Sequence, residues 1–263
     1  MIQKDDFLTP QIDRKMGNIL RVNINSTQKS KVLVTIRGFI ARGYKFYIVT
    51  PNPEIVLMAQ KDRELMRILN KADLAIPDGV GLKLVDPSLT IIKGRNLFLS
   101  LISLANKKGW RVFLLGGLGR EAEISRQKLE ISYKKVKLQA FAGPKLDNKA
   151  EPVTEVDRVI EKDAIARINK FKPHLLFVAF GAPKQEKWIA GRLDKLDIGG
   201  AMVVGGTFSC IAGTGKIPPK SWEDAGFEWV WRLYNEPWRI RRVINAVFVF
   251  PLKVFIYKIR SSN

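Results

Sequence analysis

Two reactive residue types are almost missing from this chain: Cys210 is the one cysteine and His174 the one histidine in 263 residues. That excludes an internal disulfide, leaves nothing from which to build a zinc-type cluster, and makes a reducing, cytosolic setting the expected one. Neither residue sits in a nucleophile signature. His174 precedes an apolar run with no carboxylate or serine partner nearby, and Cys210 follows a Gly-rich turn far from that histidine, so both are read as structural or surface residues. Long apolar runs are missing as well. No stretch reaches the roughly 18 uninterrupted apolar residues of a bilayer-crossing helix. The opening M-I-Q-K-D-D-F-L lacks the basic and apolar regions of a secretory signal, and none is expected. Acid is scarce, with Lys+Arg 45 against Asp+Glu 25 and a formal net charge of +20. Such an excess calls for an anionic partner, either nucleic acid or an anionic membrane surface.

What is present is an alternation of short apolar runs with longer helical patterns, the mark of an α/β chain with a largely parallel, Rossmann-like sheet. The strands are expected at Ile19–Ile24, Phe46–Thr50, Leu74–Ile76, Arg111–Leu115, Lys137–Phe141, Leu175–Phe180 and Ala201–Val204. Helices are expected at Lys29–Arg42, Pro53–Asn70, Asn96–Lys107, Glu121–Ile131, Asp157–Lys170 and Lys184–Lys195, where apolar positions recur at three and four. Gly143 to Glu155, with two prolines and no apolar period, reads as an exposed loop. Composition changes after about Gly215, so residues 1–215 are taken as the catalytic α/β domain and 216–263 as a helical appendage. Four of the six tryptophans lie there. From Arg239 to Asn263 there are six cations and no acid, interleaved with V-I-N-A-V-F-V-F-P-L-K-V-F-I-Y. Basic residues alternating with bulky apolar ones suit a segment lying in an anionic membrane interface; Asn245, Pro251 and Lys253 interrupt the run, so it would lie on the bilayer.

Four strand ends carry unusual polar sets. Thr50 and Asn52 belong to T-P-N-P-E, Asp78 and Gly79 to P-D-G, Lys184 and Gln185 to G-A-P-K-Q-E, and Gly205, Gly206 and Thr207 to G-G-T-F-S. In an open parallel sheet ligands collect outside the carboxyl ends of the strands, so these sets should converge on one crevice. Asp-Gly alone is a common turn dipeptide; the convergence makes Asp78 a candidate base. A fifth set, L-L-G-G-L-G-R-E from Leu114 to Glu121, places Gly116 and Gly117 where backbone N–H groups could cradle phosphate. It is not a full G-x-G-x-x-G, and no G-x-x-x-x-G-K-[ST] is present. The chain also has no Asp-X-Asp.

Taken together and in order, T-P-N-P-E, A-D-L-A-I-P-D-G-V-G, F-L-L-G-G, G-A-P-K-Q-E, V-G-G-T-F and F-E-W-V-W-R-L-Y-N-E-P-W-R resemble the WecG/TagA/CpsF family of glycosyltransferases over roughly residues 17 to 260. The resemblance implies a metal- and cofactor-free inverting transfer from a UDP-sugar, often UDP-N-acetylmannosamine or its uronic acid, to a polyprenyl-diphosphate-linked sugar at the inner face of the cell membrane. It gives Asp78 the part of general base, with Thr50, Asn52 and Gln185 lining the active site. Gly79, Gly116, Gly117, Lys184, Gly205, Gly206 and Thr207 would contact substrate, and the C-terminal segment, with Arg232, Arg239 and Arg242, would close the site and dock on the membrane. Homo-oligomerisation stays open.

Two departures stand out. The family carries R-V-T-G-x-D where this chain has I-I-K-G-R-N (Ile91 to Asn96), and Asp at the position of Ser209. Arg95 or Lys93 is then the substitute for the lost cation, and altered sugar or nucleotide contacts are implied. Two readings compete. A basic nucleic-acid binder would explain the charge, yet six of the cations and much of the aromatic content lie in the tail instead of forming a stripe across the domain. A nicotinamide-dependent oxidoreductase would rest on Gly116-Gly117-Leu118-Gly119 alone.

Overall fold

The computed structural model describes residues 15–216, 219, 221–222, 228–235, 237 and 240–262, with the side chains of residues 15, 16, 228, 229, 232, 241, 242, 261 and 262 left undescribed. Its centre is a six-stranded sheet made of β3 (Phe46–Val49), β4 (Leu74–Ala75), β5 (Arg111–Gly116), β6 (Lys137–Phe141), β7 (Leu175–Ala179) and β8 (Gly200–Val203). The strand order is β4-β3-β8-β7-β5-β6 and every neighbouring pair is parallel. Sequences such as F-Y-I-V and L-L-F-V-A are buried at every position, as strands covered on both faces require.

Helices cover both faces. Ile48, Leu114 and Phe177 point into one core, shared with Val32, Ile36 and Phe39 of α1 (Lys29–Ala41) and with Phe98 and Ile102 of α5 (Gly94–Lys108). α6 (Glu121–Ser132) and α9 (Thr207–Ala212) pack on that side. Val49, Phe113 and Val178, one residue out of phase, point into the other core, with α2 (Pro53–Ala59), α3 (Arg63–Lys71), α7 (Glu155–Phe171) and α8 (Lys184–Arg192). The result is a three-layer α/β/α, Rossmann-like fold.

Three local expectations are corrected. Ile19–Ile24 is not one strand: β1 (Lys15–Ile19) and β2 (Val22–Ser26) pair antiparallel around Leu20-Arg21, both at positive φ. Neither is a usual residue for such a turn, which hid the hairpin from a reading based on Gly and Asn. β2 guards the sheet edge, where Asn25 Oδ1 accepts the Ala75 N–H at 2.6 Å. The single helix expected over Pro53–Asn70 is two, because Asp62 caps α3 by accepting the Leu65 N–H at 3.0 Å. The Gly143–Glu155 loop is not wholly exposed, since Leu146 and Ala150 are buried in the core.

After the sheet come helical segments at Glu228–Asn235 and Ile240–Ile244, then a π-helical turn at Asn245–Val249 leading into Phe250–Ser262. Pro251 has no N–H to give the preceding turn, and widening that turn accommodates its ring within one continuous helix. Phe250 and Val254 of this helix are buried in the same core as α2. No helix among the described residues is long and apolar enough to cross a membrane.

Candidate active site

Four strand ends open into one cleft of about 400 Å³. Thr50 and Asn52 follow β3, Asp78 follows β4, Gly181 and Gln185 follow β7, and Gly205, Gly206 and Thr207 follow β8; all line the cleft. The crevice that strand order predicts is therefore formed, and seven of the expected residues meet in it.

Asp78 is held from two sides. Its N–H donates to Pro51 O at 2.9 Å, and the Pro77 carbonyl accepts the Ile92 N–H at 3.0 Å, so the P-D-G turn is strung between β3 and the approach to α5. α5 begins at Gly94, and this glycine is there for space. A Cβ on Gly94 would stand 3.1 Å from Asp78 Oδ2 and 3.7 Å from both Thr50 Oγ1 and Thr50 Cγ2. The Asp78 carboxylate and the Thr50 hydroxyl thus share one small volume at the amino end of a 15-residue helix. The positive end of that helix dipole therefore lies at the carboxylate.

Asn52 and Gln185 are largely occupied in building the walls. Asn52 Oδ1 caps α2 by accepting the Ile55 N–H at 2.9 Å, and the residue lines the cleft. Gln185, almost wholly buried, accepts the Gly205 N–H at 3.1 Å and donates from Nε2 to Glu186 Oε1 at 3.0 Å. It therefore pins the Gly205-Gly206 turn to α8. Behind it, Glu186 is fully buried and its Oε2 has no hydrogen-bond partner. Burial pushes this carboxyl up to about 7, partly offset by the bond from Gln185.

Other expected residues lie apart from the lining. Lys184 turns away, donating to Leu146 O at 2.8 Å. Gly79 forms the turn before α4 at φ 90° and does not line the cleft. Neither do Gly116 and Gly117. Their turn is bonded within the protein: Glu121 Oε2 accepts the Leu118 N–H at 2.9 Å and Glu121 Oε1 accepts the Thr214 hydroxyl at 2.6 Å. Arg239 lies outside the described residues, as do the side chains of Arg232 and Arg242. His174 is structural, with Nδ1 accepting the Arg111 N–H at 3.0 Å and its ring stacked on Trp110.

The cleft also contains residues that the strand-end reading did not assign to it, among them Glu54, Lys216 and Asn235. Glu54 follows Asn52 within T-P-N-P-E, a signal that was available. Lys216 and Asn235 come from beyond β8, and only the fold carries them to the cleft. Lys93, Arg95, Ser209 and Cys210 line it too, so the departure at Ser209 falls on this cavity, and of the I-I-K-G-R-N stretch its central Lys93-Gly94-Arg95 does, while Ile91 and Asn96 lie outside the lining.

A family model described as "Glycosyl transferase WecG/TagA/CpsF family" matches residues 17–263. Among characterised relatives, an N-acetylglucosaminyldiphosphoundecaprenol N-acetyl-beta-D-mannosaminyltransferase of Staphylococcus aureus (strain MW2) is 28% identical over 253 residues, covering 94% of this chain and 92% of the relative. The protein of the same name from strain NCTC 8325 / PS 47 matches at the same 28% identity over the same shares. With the family match running from the first hairpin through the C-terminal helix, this chain belongs to the WecG/TagA/CpsF family of glycosyltransferases.

Proposed function

We propose that the chain moves N-acetylmannosamine, or a closely related hexose, from a UDP-sugar to a polyprenyl-diphosphate-linked N-acetylglucosamine, with inversion at the anomeric carbon. The observation that carries this reading is the Asp78 carboxylate beside the Thr50 hydroxyl, with no side chain at Gly94 to fill the space between them. The relatives' names, which specify this sugar and this kind of acceptor, support it further.

Asp78 is the general base in this account. As the acceptor hydroxyl oxygen attacks the anomeric carbon, its proton passes to the Asp78 carboxylate. The new C–O bond forms as the bond to the diphosphate breaks, and UDP leaves with that electron pair. Lys93, Arg95 and Lys216, all lining the cleft, are the cations assigned to the departing diphosphate. Lys93 and Arg95 thereby replace the arginine lost at Ile91. Thr50 orients the acceptor hydroxyl. Asn52 and Gln185 act through the loops they hold: Asn52 through the start of α2, Gln185 through Gly205-Gly206.

The segment from residue 216 onward is assigned as a docking appendage that brings the lipid-linked acceptor to the cleft from an anionic, cytoplasmic membrane face. Its last helix has two sides, with Phe250 and Val254 buried and Phe248, Leu252 and Phe255 exposed. Transfer of radiolabelled sugar from UDP-N-acetylmannosamine to polyprenyl-diphospho-N-acetylglucosamine tests the reading. Wild type should form product and Asp78→Asn should lose about 10²–10⁴ in rate.

A further inference from the structure

Helix α4 (Val80–Val85) starts two residues after Asp78, in a stretch that reads as a bare Gly-rich turn in sequence. Leu82 is fully buried, whereas Val80 and Leu84, one turn apart, are 43% and 67% exposed. The flank between these two faces meets the C-terminal helix. A Cβ on Gly81 would lie 3.7 Å from Ala246 O, and Lys258 Nζ donates to Val85 O at 3.0 Å. Two elements far apart in sequence therefore lie side by side, and each turns an apolar row outward. Single exposed apolar residues are ordinary, but apolar residues exposed together on two neighbouring helices point to a partner.

We propose that α4 is a second membrane-contact element, whose Val80 and Leu84 enter the headgroup boundary of an anionic bilayer together with the C-terminal helix. Charge selects this occupant over a second copy of the chain. Lys83 and Lys253 flank the two rows, and no acid occurs between Arg239 and Asn263. A two-fold contact would press the same cations on each other, whereas anionic headgroups neutralise them. The consequence is positional: the Asp78 turn is fixed next to the lipid surface, where the diphosphate of a lipid-linked acceptor would emerge. This rests on the reading of a lipid-linked acceptor given above.

The test is co-sedimentation with phosphatidylcholine vesicles containing or lacking phosphatidylglycerol, run on wild type, Leu84→Glu, Val80→Glu and, in the C-terminal helix, Phe255→Glu. Each α4 variant should bind anionic vesicles about tenfold more weakly, because a buried apolar contact is exchanged for a charge. Turnover on a short-chain, water-soluble acceptor should stay at the wild-type level, which also shows that the variants fold. Wild-type vesicle binding by both α4 variants, with weakening in Phe255→Glu alone, would overturn the role of α4 while leaving membrane docking intact. Failure of the wild type to bind vesicles would overturn both. A change in molar mass by light scattering in Leu84→Glu, with vesicle binding unaltered, would assign the row to a protein contact instead.

Discussion

Glu186 and Gly94 show how single residues shape the cleft from its walls, one by burial of a carboxyl and the other by having no side chain. The Glu186 carboxyl, raised to about 7 by burial, binds its proton more tightly in the folded chain than in the unfolded one, where it titrates near 4.5. Its contribution to stability is therefore complete below pH ~4.5 and is lost as pH rises through about 7, a swing on the order of 3 kcal/mol. Glu186→Gln keeps an acceptor for Gln185 Nε2 and removes the titration. Melting curves should show the variant gaining on wild type between pH 5 and pH 8; a constant difference across that range would contradict the assignment. Gly94→Ala should act on activity instead. Its methyl group would press on Asp78 Oδ2 from 3.1 Å, so kcat should drop by about tenfold or more while the melting temperature holds. Neither role is visible in sequence, because P-K-Q-E and I-I-K-G-R-N do not say which side chains are buried or which glycine faces a carboxylate.

Among the elements, the start of α5 carries most of what distinguishes this chain. Lys93 and Arg95 flank Gly94 there and line the cleft. Replacing both by alanine should weaken use of the UDP-sugar by about 10–100-fold in kcat/KM. The effect should fall on donor kinetics and leave the acceptor KM unchanged; an acceptor-only effect would place the diphosphate elsewhere. The parallel strands were legible because runs such as L-L-F-V-A admit few other readings. The hairpin turn was hidden by Leu20-Arg21, the break in α2–α3 by a helical period that continues across the Asp62 cap, and α4 by Gly79 just before it and Gly81 within it, which suggest a turn. The strand-end sets placed Thr50, Asn52, Asp78, Gln185 and Gly205 to Thr207 in one cleft, since sheet topology alone brings them together. Gly116, Gly117 and Lys184 fell outside it because glycine content and charge do not reveal a neighbour such as Glu121 or the Leu146 carbonyl, and the fold supplies both.

Across the whole molecule, charge, apolar surface and chemistry converge at one end of the sheet. The cleft lies at the carboxyl ends of β3, β4, β7 and β8, the basic C-terminal helix packs on α2 and α4 beside it, and that helix turns Phe248, Leu252 and Phe255 outward. A formal charge of +20 suits the proposed docking on an anionic surface. The central claim is that one carboxylate, Asp78, removes the acceptor proton. The most direct measurement is the rate of sugar transfer from UDP-N-acetylmannosamine to polyprenyl-diphospho-N-acetylglucosamine on anionic vesicles, comparing wild type with Asp78→Asn and with Glu54→Gln, the other carboxylate lining the cleft. The account predicts a loss of about 10²–10⁴ for Asp78→Asn with an unchanged melting temperature, and a much smaller loss for Glu54→Gln. An Asp78→Asn enzyme that transfers sugar at the wild-type rate would contradict it.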